Sequence, residues 1–123
     1  VADAIEYLNR CNALMMGQRP EVILRKALER IRDEEHWTQG AYARDASGRR
    51  VKPYDPAARR WCIEGAVALA CNPAAVLPPF FVLLLDEIAA NYGYESVGFL
   101  NDGVYHYAVL SVLEEAIIRA SRM

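Results

Sequence analysis

Residues 56–71 read PAARRWCIEGAVALAC, and the way they fold decides the architecture. Asp55 offers a side-chain oxygen to unpaired helix N–H groups. Pro56 costs nothing at a first helical position, so the pair predicts a helix start. Trp61, Cys62, Gly65, Ala66, Leu69 and Ala70 then recur as an apolar face of mostly small side chains. Such a face lets a second helix approach closely, which predicts the central helix of the domain over 56–71, ended by Asn72-Pro73.

Working outward, residues 20–36 read as a helix. Pro20 suits its first turn, and Ile23, Ala27, Leu28 and Ile31 form its buried stripe. Glu21–Arg25 and Arg30–Glu34 are pairs one turn apart on its wet side. Residues 37–55 lose the helical period and are punctuated by Gly40, Ser47, Gly48 and Pro53. They predict either a short hairpin turning at Ser47-Gly48 or an ordered irregular loop. Residues 2–16 read as an additional N-terminal helix stopped by Gly17. Downstream, a helix is expected from Pro78 or Pro79 to Tyr92, with Phe80, Phe81, Leu83, Leu84, Leu85 and Ile88 buried. Residues 94–103 read as a linker or a short turn of helix. Residues 105–121 form the last helix, with Leu110, Leu113, Ile117 and Ala120 inward and Glu115–Arg119 on the surface.

With 123 residues, 54% hydrophobic and 24% charged, the chain suits one packed domain. The expected fold class is mainly α: a compact bundle of about five helices with one short hairpin or ordered loop at 37–55. No strand precedes a glycine-rich helix start, so a dinucleotide-binding unit is disfavoured and no cofactor is expected. Cys11, Cys62 and Cys71 make an odd set without a CxxC pair, which disfavours a disulfide framework and a zinc site. Free thiols fit a reducing cytoplasmic setting. The most apolar run, 74–85, is too short to span a bilayer and is broken by Pro78-Pro79, so no membrane association is expected.

The net charge of −2 hides an asymmetry. Residues 44–60 carry six basic and two acidic side chains, while the remainder carries eight basic and fourteen acidic ones. Arg44, Arg49, Arg50, Lys52, Arg59 and Arg60 are therefore candidates for contact with a nucleic acid or other polyanion. Trp37, Tyr42 and Tyr54 are candidates for stacking on bases.

Three segments stand out together: Trp37-Thr38-Gln39-Gly40-Ala41-Tyr42-Ala43, Trp61-Cys62-Ile63-Glu64-Gly65-Ala66 and Asn101-Asp102. In order and spacing they resemble a bacterial and phage family of small proteins, domain of unknown function family 6197, typified by W-T-Q-G, W-C-x-x-G-A and W-N-D before a final helix. The similarity runs over residues 24–120. Leu100 stands where that family carries tryptophan, with Phe99 adjacent, and Tyr105-His106 replaces its usual polar helix start. The resemblance implies a helical fold and a cytosolic location, and it implies no activity.

Cys62 is the sharpest candidate for chemistry. On the second turn of a 56–71 helix, with Arg59 three residues earlier, it would sit where positive charge favours thiolate. His106 as base and Asp102 or Asn101 as orienting group would complete a Cys-His-Asp/Asn set. The plainer reading makes Cys62 a small core residue packed beside Trp61, and no catalytic residue is assigned. Asn101-Asp102 reads as a cap or Asx-turn opening the last helix, and no metal site is expected. The leading functional expectation is a non-catalytic protein-interaction or accessory module, with a protein partner or a homodimer using Phe80, Phe81 or the first helix. The alternatives are a nucleic-acid-binding protein using 44–60 and a cysteine-dependent enzyme centred on Cys62.

Overall fold

The computed structural model describes residues 18–71 and 77–123. The expected helix at 2–16 and the helix stop at Asn72-Pro73 lie outside these residues. The described residues form five α-helices, one short 3-10 turn and a three-stranded antiparallel sheet.

Helix α1, Pro20–Ile31, buries Pro20, Ile23, Leu24, Ala27, Leu28 and Ile31, the spacing of a single helical stripe. It ends five residues before the expected boundary because residues 32–36 supply no apolar side chain to continue that stripe. Glu34–His36 instead form the 3-10 turn. Glu21 pairs with Arg25 as expected. Arg30 does not reach Glu34, since its guanidinium lies 4.9 Å from the centroid of the Trp61 ring.

The hairpin is present. Strand β1, Ala43–Asp45, pairs antiparallel with β2, Arg50–Val51. Asp45 Oδ1 accepts from the Ser47 and Arg49 N–H groups, each at 2.9 Å, and Gly48 takes φ +90° at the turn.

The expected helix over 56–71 is half wrong. Asp55 Oδ1 does accept from the Ala57 N–H at 2.8 Å, but the bond closes a turn. Ala58–Trp61 then run as strand β3 against the other side of β1, with Ala43 opposite Trp61. Aspartate before proline serves an Asx-turn as readily as a helix cap. Trp61 settles the matter: its side chain is buried and its Nε1–H donates to the Pro53 carbonyl at 3.0 Å, which holds the segment extended. Helix α2, Ile63–Cys71, starts only after Cys62.

Helix α3, Pro79–Asn91, buries Phe80, Phe81, Leu84, Leu85, Ile88 and Ala89, while Leu83 faces out. Of the two readings of 94–103, a linker or a short turn of helix, the second holds: the stretch contains α4, Val97–Gly103. Asn101 and Asp102 therefore lie inside α4 and do not open the last helix. Helix α5, His106–Ser121, carries the expected Glu115–Arg119 pair at 2.9 Å. α1 packs on both α5 and α2, and α3 packs on α5 and α4 around one core. His106 joins the beginning of α5 to the end of α1, where its Nε2 lies 2.6 Å from the Ile31 carbonyl oxygen. A carbonyl only accepts, so that nitrogen carries the hydrogen and satisfies an end-of-helix acceptor.

Candidate functional site

The three motif segments converge on Asn101, which is 1% exposed. Its Oδ1 accepts from Trp37 Nε1 at 2.9 Å and from the Ile63 N–H at 3.0 Å. Its Nδ2 donates to the Thr38 carbonyl at 3.1 Å and to Asp102 Oδ1 at 3.2 Å. A single amide thus ties the loop before β1, the start of α2 and the body of α4. Gln39 Nε2 donates to the Asn101 and Val104 carbonyls at 3.0 and 3.1 Å, closing the free end of α4. The Gly40 N–H donates to Asp102 Oδ1 at 2.9 Å from a backbone at φ +78°, a conformation that favours glycine.

Gly65 is required for a different reason. A Cβ there would lie 2.9 Å from the Tyr42 carbonyl carbon and closer still to its oxygen. The first turn of α2 is pressed onto the backbone ahead of β1. The Cys62 N–H donates to that same Tyr42 carbonyl at 3.1 Å. Cys62 Sγ accepts from the Gly65 N–H at 3.3 Å, so the sulfur occupies the place of a helix cap.

Beside this knot lies a pocket of about 440 Å³ between the hairpin and α4. Cys62, Glu64, Asn101 and Asp102 line it, Gly40 and Gly98 give it bare backbone, and Tyr42, Phe99 and Arg50 also border it. Two carboxylates and one exposed arginine line it among the described residues. Burial first, then the Asp86 and Asp102 carboxylates, push the Glu64 carboxyl above its usual range. Glu64 in turn is the largest influence raising the Tyr42 hydroxyl. Burial pushes the Cys62 thiol up to about 12. A thiol-specific reagent at neutral pH is therefore expected to modify Cys62 only after unfolding, read by peptide mass mapping. Rapid modification of the folded chain would contradict that placement.

Of the sequence candidates, Cys62 and Asp102 meet in the pocket and His106 does not. His106 is held by the Ile31 carbonyl and lies against Trp37, with ring centroids 5.3 Å apart. Cys62 precedes α2 instead of lying on its second turn. Arg59 does not face it, since the Arg59 guanidinium donates to the Pro56 and Ala58 carbonyls. The basic segment is divided by the fold. Arg44 is spent inside the hairpin on Thr38 Oγ1 and the Gly48 and Gln39 carbonyls. Arg49 pairs with Asp45. Arg50, Lys52, Arg60 and Tyr54 are exposed, and Arg50 borders the pocket. Arg59 joins Lys26, Arg30 and His36, together with Glu29, around a separate groove of about 710 Å³ over Trp61. Trp37 is committed to Asn101, whereas Tyr42 stays 60% exposed.

Glu64 and Phe99 escaped the sequence reading. Glu64 lies in the W-C-x-x-G-A segment two residues after Cys62, and Phe99 lies two before Asn101, so proximity to the motifs was the available signal. Leu100, at the position where tryptophan was expected, is buried in the core, which turns its neighbour Phe99 outward at 64% exposure.

Among the described residues, no helix is long and apolar enough to cross a membrane, and no group of three or more histidine, cysteine, aspartate or glutamate side chains is placed to hold a metal. Fold and site together define a small, mainly α domain in which three motif segments are knitted by one buried amide beside a carboxylate-lined pocket. The chain belongs to a family of unknown function, DUF6197, whose model matches residues 15–119. No curated protein and no solved structure matches the chain.

Proposed function

We propose that the protein is a non-catalytic binding module, serving as an interaction or accessory domain, and that the pocket between the hairpin and α4 is its recognition site. The observation that carries this reading is the separation of groups a cysteine enzyme would need. The Cys62 thiol is buried in the pocket wall, while His106 is engaged with the Ile31 carbonyl elsewhere. What remains in the pocket is a recognition surface: carboxylates inside and exposed aromatic rings beside them. Phe80 and Phe81 are fully buried, so a homodimer would need another surface.

A small-fragment screen read by amide chemical shifts tests the proposal. Ligands are expected to move the Gly40, Gly98 and Asp102 signals, and Phe99→Ala is expected to weaken them by about tenfold, equivalent to about 1.4 kcal/mol. Fragments that leave those signals unmoved would overturn it. The polyanion reading draws its support from the groove carrying Lys26, Arg30, His36 and Arg59 against the carboxylate of Glu29 among the described residues. A short oligonucleotide that moves those four residues in a salt-dependent way, with the pocket silent, would select it instead.

A further inference from the structure

We propose that the pocket takes an organic cation, a guanidinium or alkylammonium group, received by the Glu64 and Asp102 carboxylates and flanked by the Tyr42 and Phe99 rings; this rests on the pocket being the recognition site. The first argument is unspent hydrogen-bonding capacity. Glu64 is half-buried, yet its carboxylate accepts no hydrogen bond among the described residues. Asp102 accepts from Gly40 and Asn101 through Oδ1 alone, which leaves Oδ2 free. The Cys62 S–H, 6% exposed in the same wall, also donates to nothing among the described residues. Asp102 is exposed and water can serve its Oδ2, whereas Glu64 is half-buried with its carboxylate unmatched among the described residues.

Charge gives the second argument. No lysine, arginine or histidine lies within ion-pair distance of Glu64, Asp102 or Asp86 among the described residues, although Glu21, Glu29, Asp45 and Glu115 all have arginine partners on the surface. Arg50 borders the pocket but is exposed and reaches none of the three. Glu64 is therefore an unpaired carboxylate where solvent is partly excluded, with the exposed Asp102 carboxylate beside it, and an entering cation relieves that charge.

Shape gives the third. Gly98 lets Glu64 fold in against bare backbone, since a Cβ at position 98 would lie 2.7 Å from Glu64 Oε1. Tyr42 and Phe99 leave most of their rings uncovered beside those carboxylates. Carboxylates within and aromatic faces around them form the arrangement that selects organic cations over strongly hydrated ones.

The pH dependence has a defined sign. Glu64 is faced by Asp86 from α3, Asp102 from α4, Tyr42 ahead of β1 and Cys62 at the start of α2. A cation favours the ionised carboxylate, so its affinity is full above the raised Glu64 value and falls as pH drops through it. For the free protein the sign is opposite. Ionising a group whose folded value is raised costs stability, and that cost is released on the acid side. Glu64→Gln is therefore expected to melt no lower than the parent at neutral pH.

The test is an amide-shift titration of the intact chain with n-butylguanidinium and with acetyl-Gly-Arg-Gly amide, set against neutral n-butylurea and anionic n-butyrate. Saturable movement of Gly40, Gly98 and Asp102 with the cations alone, weakened at least about tenfold in Glu64→Gln, is the expected result. Tighter binding of the free guanidinium identifies a small-molecule source, and tighter binding of the peptide identifies a side chain of a protein partner; both support the proposal. If butylurea or butyrate binds as well as the cations and Glu64→Gln makes no difference, the pocket remains a recognition site and the cation inference falls. If none of the four probes moves these signals, both readings fall.

Discussion

Asn101→Ala is expected to lower the unfolding free energy by about 3 kcal/mol or more, measured by denaturant unfolding, because it strands several buried polar groups at once. The Trp37 indole N–H and the Ile63 N–H lose their acceptor, and the Thr38 carbonyl loses its donor. Each stranded buried group costs about 1–3 kcal/mol, and water entering the vacated space would recover only part of it. Asn101→Asp separates the contributions. It keeps an acceptor for Trp37 and Ile63, removes the donor to Thr38 and places a second charge beside Asp102. It should also be strongly destabilising, and increasingly so as pH rises through the new carboxyl. A loss below about 1 kcal/mol for alanine, typical of a single exposed hydrogen bond, would show that the three segments do not depend on this amide.

Gly65→Ala is expected to cost about 3 kcal/mol, at the upper end for inserting one carbon into a packed site. The obstacle is the Tyr42 backbone carbonyl, which cannot swing aside as a side chain would. Relief requires the first turn of α2 to retreat from β1, breaking the 3.1 Å bond from the Cys62 N–H to Tyr42 and opening one wall of the pocket. The measurement is a paired one: thermal unfolding together with the amide shifts of Gly40 and Gly98. Gly48→Ala is the informative comparison, because that site is open and only its positive φ is at stake. A smaller loss for Gly65→Ala than for Gly48→Ala would contradict the close approach.

Much of the helical framework was legible from spacing. Ile23, Leu28 and Ile31 mark α1, and Ser47-Gly48 offers the hairpin as one of two readings, because each rests on contacts local in the chain. Strand β3 was hidden because Asp55-Pro56 signals a turn and a helix start with the same two residues, and the choice falls to the long-range pairing of Trp61 with Ala43. The resemblance correctly grouped the motifs, but spacing alone could not say that Asn101 satisfies a tryptophan 64 positions away. Glu64 was illegible for a similar reason. As a lone carboxylate in sequence it looks like solvated surface, and only Asp86, Asp102 and the space at Gly98 give it a special environment.

The bonds joining Trp37, Thr38 and Gln39 to α4 and to Val104 just past its end span 62 to 65 residues, about half the chain. Contacts of such separation require a large loop closure and mature after local helices and turns. The pocket walls thus depend on pairing between distant parts of the chain, and a chain in which α4 has not met the segment before β1 has no site to offer. A ligand of the proposed site that binds only the folded chain would raise its resistance to global unfolding by an amount set by the ratio of free ligand to dissociation constant.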